Sequence, residues 1–147
     1  MTEAAAYAAA GRTAEWIDAF LRGPAENEAF ADGLKLHHRY WLGPVTVKLH
    51  HLERCCGPEP YMEYVMPEES WRQRTTTLSR WIRDGWDMPP VVGQLRRQRV
   101  SVRDGNHRLG ALEQLGIEYA WIFVWNDHGV EPLQRWLETV HGRHHGM

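Results

Sequence analysis

Residues 101–116 read SVRDGNHRLGALEQLG. A short alternating segment, Ser101–Arg103, runs into a polar turn, Asp104–Arg108. Leu109, Leu112 and Leu115 then recur at helical spacing until Gly116 stops the helix, so the stretch reads as strand, turn and helix. Gly105 permits backbone angles that other residues resist, and a close approach of a ligand to the chain. The first N–H groups of the following helix have no intrahelical partners. Together with the helix dipole they form a pocket for an anion. Arg108 adds a guanidinium whose fork matches phosphate oxygens, and His107 can donate a hydrogen bond or carry a proton near neutral pH. Asp104 would repel the same phosphate and is better suited to a ribose hydroxyl, a substrate hydroxyl or a magnesium ion. The same residue types also suit a plain turn, with Asp104 or Asn106 capping the helix. No G-x-x-x-x-G-K-[ST] segment exists, which excludes a standard P-loop.

Outward from this turn the pattern predicts an α+β fold with a small mixed sheet. Pro89–Leu95 and Arg99–Arg103 read as two strands across an arginine-rich hairpin, with the first strand proper at Val91–Leu95. Tyr119–Trp125 is an apolar strand suited to the sheet centre. Val45–Leu49 alternates as a half-buried strand should. Helices surround these strands. Thr13 is placed to cap one carrying Trp16, Ile17, Phe20 and Leu21, and a second piece holds Phe30 and Leu34. Pro67, Glu68 and Glu69 open a third, with Trp71, Thr75, Leu78, Trp81 and Ile82 at helical spacing and Gly85 at its end. Leu133, Trp136, Leu137 and Val140 mark a last amphipathic helix. Residues 1–43 thus form an N-terminal helical extension and residues 44–147 the main domain, packed as one globular unit. Glu53–Glu69, with three prolines and a glycine, is expected to be a long loop of the kind that often carries function. Residues 141–147 form a polar tail.

Composition narrows the classes. Hydrophobic residues are 43% and charged residues 24% of the 147, as in an ordinary globular domain. The net charge of −2 gives no global attraction to nucleic acid or an anionic membrane. Of the 17 basic residues only Lys35 and Lys48 are lysine, and arginine favours bidentate contacts with phosphates and carboxylates. No signal peptide or membrane-spanning run is visible, so a cytoplasmic location is expected. Cys55 and Cys56 are adjacent, which does not suit a disulfide, and they read as reduced thiols. A zinc site with His50 and His51 lacks the usual ligand spacing.

The segment WIRDGWDMPPVVGQLRRQRVSVRDGNHRLGALEQLG, residues 81–116, resembles the ParB/sulfiredoxin superfamily. The shared order is a helix, a glycine, a P-P-V-V strand, a second strand, D-G-x-x-R opening a helix, and an apolar strand. The likeness runs from about Val45 to Trp125. It implies a nucleotide, ATP or CTP (or ADP), held at the turn by Gly105, Asn106, His107 and Arg108, with Asp104 matching the aspartate of the kinase-like D-G-H-x-R pattern. Asn106 stands where sulfiredoxins carry a cysteine, so sulfinic acid reduction is not expected. The chain ends soon after the motif helix, so chromosome partitioning is not expected either.

The leading expectation is therefore a ParB-like enzyme that transfers a phosphoryl group to a small-molecule acceptor or hydrolyses a nucleotide, with Mg2+. Asp104 and His107 are candidate catalytic residues, and Asp104 a candidate metal ligand. Glu59, held between Pro58 and Pro60, is the favoured second carboxylate, ahead of Glu53. Arg54 is a candidate further phosphate ligand. The alternative is a non-catalytic nucleotide switch or DNA-associated regulatory module, whose basic patch would be Arg96, Arg97, Arg99 and Arg103.

Overall fold

The computed structural model describes residues 1–142. Residues 143–147 of the expected polar tail lie outside the described residues. Six α-helices and a five-stranded mixed sheet make an α+β fold, with a separate two-stranded pair. In chain order the helices α1 (Thr2–Ala9), α2 (Thr13–Arg22) and α3 (Glu28–Leu34) precede strand β1 (Tyr40–Lys48). Strands β2 (Leu52–Arg54), β3 (Cys56–Gly57) and β4 (Tyr64–Val65) lead to α4 (Glu68–Arg83). Then come β5 (Val91–Arg96), β6 (Arg99–Asp104), α5 (Asn106–Gln114), β7 (Tyr119–Asn126) and α6 (Val130–Val140).

The sheet order is β1-β7-β5-β6-β2. The β5–β6 hairpin is antiparallel, and β5, the central strand, runs parallel to β7, which lies second in the order and not at the centre expected for it. The even-numbered residues of β7 point to one face, where Ala120, Ile122 and Val124 meet Leu109 and Leu112 of α5 and Leu133 and Trp136 of α6. Its odd-numbered Phe123 and Trp125 point to the other, where Trp16, Ile17 and Leu21 of α2 and Ala31 and Leu34 of α3 cover them. This alternation buries Ile122, Phe123 and Val124 completely, each contributing about 1.5–3 kcal/mol of hydrophobic stabilisation. The sheet is thus sandwiched between two helical layers, and the N-terminal helices belong to its second core.

All four expected strands are present; β5, β6 and β7 each run one residue further than expected, and β1 ends at Lys48, with Leu49 in a 3-10 turn. The largest difference is at β1, which begins at Tyr40 and so crosses the expected boundary at residue 44. The segment Glu53–Glu69 is less irregular than its prolines and glycine suggest. It contains the end of β2, which pairs in parallel with β6 at the sheet edge, and the β3–β4 pair. Thr13 does not cap α2: it is the first helical residue, and Arg12 holds the cap position with no side-chain cap bond. The alanine-rich start, which carries no apolar periodicity, forms α1 and buries Ala4. No helix among the described residues is long and apolar enough to cross a membrane.

Candidate functional site

The strand–turn–helix unit forms as its sequence dictates. β6 ends at Asp104, Gly105 takes the N-cap position of α5 in the left-handed region at φ 98°, and Leu109 N donates to Gly105 O at 2.9 Å. The N–H groups of Asn106, His107 and Arg108 precede that first intrahelical bond. Gly105 is required for more than its φ. A Cβ there would lie 2.7 Å from both Arg108 Nη2 and Val91 Cγ1. The side on which a Cβ would project is therefore filled by the protein, not left open to a ligand.

The polar residues of the turn face different ways. Arg108 is buried. Its Nη1 donates to the carbonyls of Pro89 (2.7 Å) and Pro90 (3.0 Å), its Nη2 donates to Asp104 Oδ2 at 2.9 Å, and Phe20 lies 5.2 Å beneath the guanidinium. Burial lowers its pKa, against the pull of Asp104. Asp104 Oδ1 also accepts a bond from Asn27 Nδ2 at 3.2 Å. The Asp104–Arg108 pair therefore ties the turn to the Pro89–Pro90 entry of β5 and to the α2–α3 connection. Asn106 is equally committed. Its Oδ1 accepts from the backbone N–H groups of Cys55 (2.9 Å) and Cys56 (3.4 Å), and its Nδ2 donates to Val102 O at 3.0 Å.

His107 alone of these side chains is free of hydrogen bonds at a buried atom, Nε2. Its ring packs on Trp71 with centroids 4.8 Å apart. Burial, and then the charge of Arg74, hold its pKa below the usual imidazole value. The turn residues Asp104, Gly105, His107 and Arg108 line a cleft of about 290 Å³ together with Arg74 and Trp81 of α4, Trp86, and Phe20 of α2. Pro24 and Ala25, in the α2–α3 connection, complete its far wall. Arg74 is exposed and takes part in none of the ion pairs among the described residues, unlike its neighbour Arg72, which pairs with Glu69. The turn thus opens on a cleft with helix-terminal N–H groups, a neutral imidazole, one uncommitted guanidinium and three aromatic side chains.

Arg54 and Glu59 come together, but away from this cleft. Arg54 donates to both carboxylate oxygens of Glu59, to Glu113 Oε1 (3.0 Å) and to Cys56 O (3.2 Å). Burial disfavours its charge, yet Glu59 and Glu113 outweigh that and raise its pKa. The Arg54 hydrogen bond holds the Glu59 carboxyl below its ordinary value. Arg54 ends β2 and Glu59 lies in the β3–β4 connection, and Arg54 lies 4.9 Å over the ring of Trp71, so that one indole touches both Arg54 and His107. Glu53 pairs with Arg99.

The Mg2+ expected at Asp104 does not fit the side chains around it. Both carboxylate oxygens already accept hydrogen bonds, one of them from a guanidinium, and no group of three His, Cys, Asp or Glu among the described residues could hold a metal ion. Cys55 is buried and Cys56 half-buried, both as free thiols, and burial pushes the Cys56 thiol up. The arginine patch of the β5–β6 hairpin is partly neutralised, with Glu53 and Glu63 facing its four arginines. Glu63 pairs with Arg103 at 2.9 Å and approaches Arg96, and Arg103 holds the Glu63 carboxyl down at about 2.

One residue of this region, Arg74, carries no motif and has no part in the sequence reading. Trp71, Arg74 and Leu78 are spaced i, i+3, i+7 on α4. Since Trp71 and Leu78 are buried, helical spacing alone places Arg74 at the edge of the face that meets α5.

No family model and no curated protein matches the chain. Among solved structures it is similar to a sulfiredoxin from Arabidopsis thaliana, with 18% identity over 63% of this chain and 94% of that one, at a TM-score of 0.41. It is also similar to a Pnob8-like ParB-N domain, with 14% identity over 73% of this chain, at a TM-score of 0.44. The chain spans 38% of that ParB-N structure's length. At such identities and scores the likeness concerns the course of the backbone and passes no activity, ligand or partner to this chain.

Proposed function

We propose that the protein binds the phosphates of a nucleotide, ATP, CTP or ADP, in the cleft at the start of α5. One observation carries this reading: Arg74, without a carboxylate partner, stands in the same cleft as the free N–H groups of a helix whose N-cap is a left-handed glycine. Helix N-termini and guanidinium groups both favour phosphate oxygens. Arg74 then supplies the mobile charge, and the α5 amides supply the fixed one. Arg108 also lines the cleft, but its guanidinium is committed to Asp104 and to the Pro89 and Pro90 carbonyls, and Asn106 supports the turn through Cys55, Cys56 and Val102. The aromatic walls, Trp81, Trp86 and Phe20, suit the flat face of a base. Magnesium would accompany the nucleotide as a counter-ion of its phosphates, not as a resident of Asp104.

Phosphoryl transfer to a small-molecule acceptor, or hydrolysis, would rest on His107. Its lowered pKa leaves it neutral at pH 7 and so able to take the proton of an attacking hydroxyl once the ring turns its buried Nε2 to the cleft. The second reading, a nucleotide-dependent switch without turnover, is favoured by the state of the two candidate carboxylates. Asp104 and Glu59 are each already paired with a guanidinium. A DNA-contacting hairpin is the least supported, because Glu53 and Glu63 offset half of its four arginine charges.

Calorimetric titration with ATP, CTP and ADP, with and without Mg2+, tests the proposal. Binding is expected for at least one of them, and Arg74→Ala should weaken it about tenfold or more, the loss of one charge-assisted contact of ~1.5–3 kcal/mol. A folded wild-type protein that binds none of the three overturns it. Release of inorganic phosphate or of a phosphorylated acceptor then separates the enzyme from the switch.

A further inference from the structure

A second cavity lies on the opposite helical layer and shares no lining residue with the α5 cleft. It measures about 250 Å³ and sits between α2, α3 and the start of β1. Its floor is apolar, made by Ile17 of α2, Ala31 and Leu34 of α3 and the indole of Trp41, with the exposed Ala14 of α2 at its edge. The cavity is open to solvent on one side, and its apolar floor suits the face of an aromatic ring. The volume is below the ~300–1,000 Å³ of sites for drug-sized ligands, which limits an occupant to one or two rings.

The mouth has a different character. The connection from α3 to β1 reads KLHHR, residues 35–39, and Lys35, His37, His38 and Arg39 all line the opening, against one carboxylate, Asp18. Arg39 is structural: it donates to the carbonyls of Gly33 (2.9 Å) and Leu34 (3.0 Å), pairs with Asp127 and stacks on Trp125 at 4.6 Å. These bonds fix the rim and occupy the last carbonyl groups of α3, so the mouth offers few acceptors. Asp18 is held by Arg22 at 2.9 Å and reaches Lys35 only at 3.4 Å. Lys35 is 63% exposed, and its long stem lets the ammonium turn from Asp18 to a ligand. His37 and His38 add imidazole N–H donors beside it.

We infer that this cavity binds a small planar aromatic acid, with the ring between Ile17, Leu34 and Trp41 and the carboxylate at Lys35 and the two histidines. An apolar interior with a donor-rich, cationic rim matches that class and disfavours a cation or a neutral acceptor-poor ring.

The probes are 2-naphthoate and, as the uncharged analogue of similar size, 2-naphthylmethanol, each titrated against the full chain by calorimetry. One 2-naphthoate per chain is expected, bound about tenfold or more tightly than the alcohol. Ala14→Phe, which places a ring in the mouth from an exposed position, should abolish binding while thermal unfolding stays cooperative. Lys35→Glu, on a side chain already mostly in solvent, should weaken 2-naphthoate about tenfold and leave the alcohol unchanged. Nucleotide titration should be unaffected in both variants, which keeps this site separate from the α5 cleft. Absence of saturable 2-naphthoate binding, equal affinity for acid and alcohol, or full binding by Lys35→Glu overturns the inference.

Discussion

Arg108 shows how far a residue's chemistry depends on where its side chain is sent. On sequence it is a guanidinium at a helix start, ready for a phosphate. In the fold it neutralises Asp104 and caps two proline carbonyls inside the protein. Arg108→Ala should therefore act on stability first. Removing one partner of a buried pair leaves an uncompensated charge, at a cost of about 3–5 kcal/mol, which urea denaturation would read directly. A purely ligand-binding arginine would leave the denaturation midpoint in place and shift only the titration. His107 provides a second test at this scale. Its folded pKa lies below the unfolded value, because burial and Arg74 disfavour the imidazolium. The unfolded chain thus binds the extra proton more readily, and the stability due to neutral His107 is present above about pH 6.5 and lost as pH falls towards the folded pKa. Between pH 7 and pH 5 the wild-type protein should lose more stability than His107→Gln, measured by thermal unfolding in matched buffers. Parallel pH profiles for the two would refute the burial of the imidazole.

The packing of α4 against α5 makes the cleft possible, and a glycine sets its closeness. A Cβ at Gly110 would stand 2.5 Å from Trp71 Cζ2 and 3.2 Å from Thr75 Cγ2. Alanine is the better helix former by about 1 kcal/mol, so propensity alone predicts that Gly110→Ala stabilises. Overpacking of ~1–3 kcal/mol outweighs it, and the variant should be less stable, with Trp71 displaced from His107 and Arg54. Tryptophan fluorescence together with denaturation would show both effects, and a more stable variant would contradict the close contact. Elements of this kind differ in how plainly the sequence announces them. β5, β6 and β7 are legible because each alternates or is uniformly apolar, and α4 and α6 because their apolar residues keep helical spacing. β2 is not, since three residues of a parallel edge strand carry no alternation, and its pairing with β6 depends on a contact 48 residues away along the chain. The turn itself was legible as strand, glycine and helix. The inward course of Asn106 and Arg108 was not, because polar residues in a D-G turn read as surface, and only the tertiary partners Cys55, Pro89 and Pro90 reveal otherwise.

At the scale of the whole molecule the N-terminal helices are part of the core and of the cleft alike. Trp16, Ile17, Leu21, Ala31 and Leu34 cover Val92, Phe123 and Trp125. A chain lacking residues 1–39 would expose that face of the central strands, and apolar faces of this size drive association. Such a truncated protein should lose cooperative thermal unfolding or aggregate, as judged by calorimetry and size-exclusion chromatography. A soluble monomer with a sharp transition would show that the sheet and its other helical layer suffice. The same layer supplies Phe20, Pro24 and Ala25 to the wall opposite His107, and Asn27 to Asp104. The DGNHR turn and the surface facing it are therefore encoded some eighty residues apart, in stretches free to vary independently. Exchanging the first forty residues for another helical pair would recut the cleft like a new key blank, while the anchoring turn stayed as it is.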